Sequence, residues 1–221
     1  MSLTTASFIS ISFHLCSVYT AAMTAADFTK NRDSWLQRWG LTGLAPDLPW
    51  LQRMAPVKRD AGEFLVHAGD TGDTLYLLEA GLVRLFYTTP DGRERNKSFL
   101  RAGEITGPVS AAITGGAAPF SIECLEPVEA ISFHLGDLLA AADNDLQVAR
   151  LYREFLTAAF IRNQRREAVL LTGNAEERYQ WLLAHEPDLS DRVTQAHIAS
   201  YLGIDAVSLS RIKRKLRDAG R

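Results

Sequence analysis

The chain has 221 residues, of which 47% are hydrophobic and 23% charged, and its formal net charge is −2. This composition is that of an ordinary globular protein, so it excludes a fully disordered chain and a protein coated in nucleic acid, but it allows a local basic patch. The two cysteines, Cys16 and Cys124, cannot supply a disulfide framework or a four-thiolate metal site, so we expect a reduced, cytoplasmic protein.

Residues 2–20 are apolar and rich in Ser and Thr, and no Lys or Arg precedes Lys30. A secretory signal begins with a positively charged region, which is missing, and this stretch is too polar for a membrane-spanning helix. Met23 resembles a more natural start of translation. We therefore predict that residues 1–30 are an extension that is disordered or arises from a wrongly assigned start, and we expect no membrane partner.

Short strands separated by glycine turns are predicted between Phe64 and Phe133. The predicted strands are Phe64–Val66, Leu75–Leu78, Leu82–Tyr87, Arg93–Leu100, Ser121–Cys124 and Val128–Phe133. Asp91-Gly92 indicates a tight hairpin, because glycine adopts the positive φ that such turns need. The spacing of the strands favours a small sandwich or barrel, and we assign this β domain to residues 31–143.

A short helix is predicted at Asp137–Ala142 and a long one at Leu146–Leu171, where apolar residues recur every three or four positions. The stripe consists of Val148, Leu151, Tyr152, Phe155 and Ala159, continues to Arg162, and is widened by Leu156 and Phe160. So broad a stripe favours packing against a partner helix, although the helix could instead lie on its own β domain. We predict that residues 144–171 form the dimerisation helix of a homodimer.

The last part of the chain, residues 172–221, carries the pattern of a helix-turn-helix. Asn174 begins a helix with a capping box. Thr194 is placed to cap a second helix, Gly203 to end it in a left-handed turn, and Asp205 to cap a third. We predict that this third helix enters the major groove of double-stranded DNA.

Positive charge is concentrated at the end of the chain, where residues 211–221 hold six Lys or Arg and one acid. Arg211 can bind guanine or a phosphate, and Ser208 and Thr194 can donate to phosphates. The predicted DNA-binding residues are Thr194, Gln195, Ala206, Val207, Ser208, Ser210, Arg211, Arg214 and Lys215. The alternative is an ordinary helical hairpin with a solvated basic face.

Several motifs occur in order along the chain: Gly62-Glu63-Phe64-Leu65, Gly69-Asp70, Leu75-Tyr76, Gly81-Leu82-Val83-Arg84-Leu85, Asp91-Gly92, Gly103-Glu104, Ile198-Ala199-Ser200-Tyr201-Leu202-Gly203-Ile204 and Leu209-Ser210-Arg211-Ile212. This ordered set, which spans residues 51–216, resembles the Crp/Fnr family of bacterial transcription regulators. The resemblance implies an α+β chain: an N-terminal β-roll or jelly roll of the cyclic-nucleotide-binding type, a long dimerisation helix and a C-terminal helix-turn-helix. Its implied partners are DNA, a second copy, a small effector and RNA polymerase.

The chain departs from the family at the phosphate-binding cassette of the members that bind cyclic AMP. Pro108 replaces their ribose-binding Glu, and Ala118-Pro119 replaces their phosphate-binding Arg-Ser. The effector-pocket candidates that follow from the resemblance are Gly103, Glu104, Gly107, Pro108, Val109, Ala118, Pro119 and Phe120. The missing groups predict an effector other than cyclic AMP. In the third helix Ala206-Val207 replaces the family's Arg-Glu, which predicts a different operator sequence.

Two alternatives remain open at this stage. The β domain could be a ligand-free scaffold for a dimer or a partner protein. It could also be a cupin-like metal enzyme, but the five histidines show no paired spacing and no nucleophile–base set occurs. We therefore predict a regulator that is not an enzyme, with no catalytic residue, metal site or cofactor.

Overall fold

The computed structural model describes Leu36, Leu41, Gly43, Leu44 and residues 47–219. The predicted extension at residues 1–30 lies outside these described residues. The strands are β1 (Ala55–Arg59), β2 (Phe64–Val66), β3 (Thr74–Ala80), β4 (Leu82–Thr88), β5 (Glu94–Arg101), β6 (Ile105–Thr106), β7 (Ser121–Cys124) and β8 (Val128–His134). The helices are α1 (Pro49–Gln52), α2 (Val109–Thr114), α3 (Leu135–Ala142), α4 (Leu146–Thr172), α5 (Ala175–His185), α6 (Leu189–Arg192), α7 (Gln195–Leu202) and α8 (Ala206–Ala219).

The strands form two antiparallel sheets with the orders β1-β8-β3-β6 and β2-β7-β4-β5. Apolar residues from both sheets pack together between them, among them Leu78 and Ala130 from the first and Leu85 and Ile122 from the second. Cys124 is fully buried in this layer, and burial raises the pKa of its thiol to about 11. The predicted β-roll is confirmed, and Cys124 packs in its core as a small apolar side chain.

The hairpin between β4 and β5 closes at the predicted Asp91-Gly92 turn. Gly92 has a φ of +79°, and Thr89 both accepts from the Gly92 amide at 2.8 Å and donates to the Arg93 carbonyl at 2.8 Å. The register then shifts by one residue, because Leu85 pairs with Ser98 whereas Phe86 pairs with Asn96. Lys97 is therefore the extra residue of a β-bulge, a feature that redirects side chains.

The long helix α4 begins at Asp145, whose carboxylate accepts from the Gln147 and Val148 amides at 2.7 and 3.2 Å. Over its first turns the predicted stripe faces inward: Val148 and Leu151 are buried in one core with Leu135 and Leu138 of α3. The stripe therefore covers the chain's own β-roll here, which was the alternative interpretation. The large apolar side chains that α4 leaves exposed are Leu146, Leu156, Phe160, Ile161 and Leu171.

The helices after α4 pack with the β-roll rather than apart from it. Leu82 of β4 and Phe99 of β5 are buried in one cluster with residues of α5, α7 and α8, including Leu182, Ile198 and Leu209. The predicted capping box is present: the Asn174 side chain accepts from the Glu177 amide at 3.1 Å, and Glu177 accepts from the Asn174 amide at 2.8 Å.

Five short elements were not predicted from the sequence: α1, β1, β6, α2 and α6. Each has two to six residues, too few to display a clear period of hydrophobic positions. They complete the edges of the roll and fill its connections, so the predicted order of the longer elements is unaffected.

Candidate functional site

Helix α7 is fixed at both ends by the predicted residues. The Thr194 hydroxyl accepts from the His197 amide at 3.2 Å, and Gly203 ends the helix with a φ of +65°. Ile198 and Leu202 lie on the buried face of this helix. An αL glycine at this point lets the chain reverse at once into the next helix, which is the turn of a helix-turn-helix.

Helix α8 begins at Asp205, as predicted. The Asp205 carboxylate accepts from the Ser208 amide at 2.8 Å and from its hydroxyl at 2.6 Å, and these bonds lower the pKa of Asp205. Leu209 is 1% exposed and anchors the helix against α7, with Ile212 and Leu216 packed beside it. The orientation of α8 is therefore set by a cap and three apolar contacts.

The opposite face of α8 is a cationic surface. The exposed residues from the predicted set are Thr194, Gln195, Ala206, Val207, Ser210, Arg211, Arg214 and Lys215, and Ser208 is half-buried. Lys215 pairs with Glu176 of α5 at 2.6 Å. Within the described part of the chain, Arg211 and Arg214 meet no carboxylate, so their positive charge is directed at solvent.

Helix α7 is also attached to strand β5. The buried Asn96 side chain donates to the His197 carbonyl at 2.9 Å, and the Asn96 amide donates to the Ser200 hydroxyl at 3.0 Å. Ser200 donates in turn to the Glu94 carbonyl at 3.1 Å. These bonds hold the first helix of the helix-turn-helix against the roll and leave α8 free on the outside.

Arg166 of α4 joins the same two elements. Its guanidinium donates to the Asn96 carbonyl at 3.0 Å and to the Tyr201 carbonyl at 2.7 Å, and it lies 4.6 Å from the centre of the Tyr201 ring. Burial lowers the pKa of Arg166 and raises that of Tyr201 to about 12. A cation over an aromatic face is favourable, so this contact adds to the attachment of α7.

Ion pairs complete the junction between the roll and the helices. Arg101 at the end of β5 pairs with Glu186 and, at 2.8 Å, with Asp188. Arg192 of α6 pairs with Glu126 at 2.7 Å, and hydrogen bonding to that carboxylate raises the pKa of Arg192. This junction was not predicted from the sequence, because its ion pairs join residues that are far apart in the chain.

A cavity of about 230 Å³ lies between the roll and α4. Four of the predicted pocket residues line it: Gly107, Val109, Pro119 and Phe120. The remaining lining residues are Leu85, Tyr87, Lys97, Leu100, Ile105, Thr106, Ser110, Phe155, Leu156, Ala159, Arg162 and Asn163. Phe155, Ala159 and Arg162, predicted for the dimer helix, thus face this cavity.

The other four predicted pocket residues do not line the cavity. Ala118 and Pro108 are buried, Gly103 lies in the turn after β5, and Glu104 accepts from Arg162 at 2.8 Å. Burial raises the pKa of Glu104, although Arg162 and Arg101 oppose that effect. Lys97 was missed because its position depends on the bulge, which shifts the alternation expected of a strand.

Comparison with known proteins places these features in context. Residues 56–145 match the family model of the cyclic nucleotide-binding domain. The chain is 34% identical over 103 residues to the cyclic AMP receptor protein of Thermus thermophilus, a match that covers 44% of this chain and 46% of that protein. It therefore spans about half the length of this relative.

A longer match is with the fumarate and nitrate reduction regulatory protein of Vibrio cholerae, 28% identical over 180 residues, covering 73% of this chain and 68% of that protein. The solved structure of FixK2 from Bradyrhizobium japonicum has the same fold, with a TM-score of 0.63 at 24% identity, covering 76% of this chain and 86% of that one.

These matches confirm the resemblance to the Crp/Fnr family. The chain has the fold of the Crp/Fnr transcription regulators, and residues 56–145 are similar to the cyclic nucleotide-binding domain. Over the described residues, no His, Cys, Asp or Glu side chains gather in threes to hold a metal ion. No described helix is both long and apolar enough to cross a membrane.

Proposed function

We propose that this protein is a dimeric, DNA-binding transcription regulator whose β-roll responds to a small effector other than cyclic AMP, and that it is not an enzyme. The observation that carries the proposal is the helix-turn-helix: α7 is capped and buried, and α8 is anchored by Leu209 with Arg211 and Arg214 exposed. This is the geometry in which a second helix enters the major groove.

The direct test is DNA binding in the absence of any ligand. Fluorescence anisotropy against genomic fragments is expected to give an affinity that falls steeply with salt, because each phosphate contact releases counterions. R211A is expected to weaken binding to the preferred site by about tenfold or more, as loss of a base contact costs about 1–3 kcal/mol.

Two variants separate the roles along α8. R214A, which removes a cation that pairs with no carboxylate among the described residues, is expected to reduce the salt slope by about one phosphate contact. K215A is the matched control, since Lys215 is already paired with Glu176 and contributes less to the free charge. Affinity for DNA that is unchanged in both R211A and R214A would refute the proposed interface.

The proposed dimer rests on the exposed apolar side of α4. Phe160 is 67% exposed and Leu171 78%, an unfavourable exposure for a lone chain. Pairing of two copies along this helix would bury them and present two α8 helices to half-sites about one DNA turn apart.

Sedimentation of the F160E variant tests this arrangement. At about 100° per residue, Ala158 lies on nearly the opposite side of the helix from Phe160. F160E is therefore expected to dissociate the dimer, whereas A158E, which adds the same charge to the exposed Ala158, is expected to remain dimeric. Equal sedimentation of the two variants would place the dimer contact elsewhere.

A further inference from the structure

We infer that the cavity between the β-roll and α4 is an anion-binding site, in which Lys97 and Arg162 hold the carboxylate or phosphate of a small ligand with an aromatic or apolar body. The inference rests on the proposed function only in treating that ligand as the effector. The cations that would bind the anion lie on β5 and α4, whereas the family's cassette corresponds to Pro108 and Ala118.

Lys97 is the first reason. As the extra residue of the β-bulge, its side chain lies at the cavity wall, with Nζ 5.2 Å from the centre of the Phe120 ring. Among the described residues no acceptor or carboxylate bonds to this ammonium group. Burial lowers the pKa of Lys97, and nearby Arg162 and Arg166 lower it further. Because neighbouring cations disfavour the charged form of Lys97, a bound anion would stabilise that form.

Two further polar groups at the cavity are incompletely satisfied. Arg162 donates through Nη1 to Glu104, but its Nε is buried with no hydrogen-bond partner. The Thr106 hydroxyl is likewise buried without a partner. Buried donors are almost always satisfied, since leaving one unpaired costs about 1–3 kcal/mol. The oxygens of an anionic ligand are acceptors suited to these groups.

The described lining of the cavity carries positive charge. Lys97 and Arg162 are its two cations, and no Asp or Glu is among the lining residues that the structure describes. The nearby Glu104 lies outside the lining and already accepts from Arg162. A cleft with this balance of charge attracts anions and disfavours cations.

The remaining wall selects the body of the ligand. Leu85, Phe120 and Phe155 line the cavity with apolar surface. Its volume of about 230 Å³ is below the roughly 300–1,000 Å³ of sites for drug-sized molecules. The expected occupant is therefore a small metabolite, with one or two rings or a short apolar chain joined to an acid.

Probes that share a ring and differ in charge test the site. Titration of the full-length protein with benzoate, phenyl phosphate, benzamide and benzylamine, followed by ligand-observed NMR without DNA, gives four affinities. The two anions are expected to bind at least about tenfold more tightly than neutral benzamide, because bonds between ionised groups are roughly twice as strong as neutral ones. Benzylamine is expected to bind least.

Variants locate the preference. K97M and R162Q are each expected to reduce the benzoate-to-benzamide ratio to near one, and K58M, which removes a lysine from the other sheet, is expected to preserve it. Circular dichroism checks that each variant is folded. A preference that persists in both cavity variants overturns the inference. Equal affinity for benzoate and benzamide, or no binding of either anion at millimolar concentration, also overturns it.

Competition distinguishes the sources of the anion. Displacement of benzoate by phenyl phosphate but not by cyclic AMP supports the site and a ligand other than a cyclic nucleotide. If cyclic AMP displaces benzoate from the wild-type protein and cyclic AMP binding is lost in K97M, the site is also supported. The ligand group that Lys97 and Arg162 hold is then the phosphate of a nucleotide. Because DNA affinity is measured without ligand, failure of this site leaves the result on DNA binding unaffected.

Discussion

The junction between the β-roll and the helices and the cavity beside α4 both contain partly buried cations. The cations differ in whether they have partners. At the junction Arg101 pairs with Glu186 and Asp188, and Arg192 pairs with Glu126. At the cavity, Lys97 bonds to no acceptor among the described residues, and Arg162 keeps one unpaired donor. Loss of a paired cation leaves its carboxylate without a partner and is costly to the fold, whereas a cation that lacks an ionic partner is available for a ligand. This contrast separates structural from functional cations within one chain.

Removal of a satisfied cation should give the largest effect. Arg84 is 6% exposed and pairs with Glu123, with Glu94 at 2.6 Å and with the Asn96 side chain at 3.2 Å. R84M is expected to lower the free energy of unfolding by about 3–5 kcal/mol, because it leaves a partly buried carboxylate without its partner. Urea denaturation measures the change.

The control for this prediction lies on the same hairpin. Arg95 is exposed, so R95M is expected to change the free energy of unfolding by no more than about 0.5 kcal/mol. If R84M were no more harmful than R95M, the distinction between satisfied and unsatisfied cations would lose its basis.

Removal of the unsatisfied cation should have the opposite sign. K97M is expected to raise the free energy of unfolding by about 1 kcal/mol, since it removes a half-buried charge with no hydrogen-bond or ionic partner among the described residues, and this outweighs its contact with the Phe120 ring. The melting temperature should rise by about 2–4 °C, the shift expected for a chain of this size. K58M, which breaks the exposed pair with Glu129, should leave stability unchanged or slightly lower. A lower melting temperature in K97M would contradict the contrast.

The smallest effect concerns pH at the junction. Burial and nearby Arg84 lower the pKa of His197 below 6.5, although Glu123 and Glu94 oppose this. Its Nδ1 lies 3.4 Å from Nδ2 of the Asn96 side chain, a donor that requires an unprotonated Nδ1. The folded state therefore binds fewer protons than the unfolded one, so stability falls as the pH drops below 6.5 and levels off below the folded pKa.

The difference between wild type and H197Q isolates this contribution from the other histidines. Urea denaturation at a series of pH values should show a shallower decline between neutral and acidic pH in H197Q. Parallel curves for the two proteins would mean that the junction does not sense this proton.

Local chemistry explains what the sequence could predict. Thr194, Gly203 and Asp205 act on the backbone within three or four residues, so their roles as caps and turn were readable without the fold. The Asp91-Gly92 hairpin is local in the same way. The apolar stripe of α4 was recognised too, but a stripe does not specify what covers it. Val148 and Leu151 consequently belong to the chain's own core.

The location of the cavity could be predicted from the sequence, but the charged residues that line it could not. Resemblance to a family led to Gly107, Pro119 and Phe120, which do line it. The resemblance considered positive charge only at the cassette positions, so it did not predict cations at other positions of the cavity. Lys97 reaches the cavity through a one-residue shift between β4 and β5, and Arg162 through the packing of α4 on the roll. Neither arrangement leaves a pattern within a short window of sequence.

The β-bulge in β5 places two neighbouring residues in different surroundings. Lys97 lies at the cavity, and Asn96 bonds to His197 and Ser200 of α7, the first helix of the helix-turn-helix. The two sites are thus one peptide bond apart. Thermodynamic linkage then imposes a symmetry: if an occupant of the cavity changes the affinity for an operator by some factor, the operator changes the affinity for that occupant by the same factor. Titrating the ligand against the DNA-bound protein would therefore measure the strength of regulation as directly as titrating DNA against the liganded one.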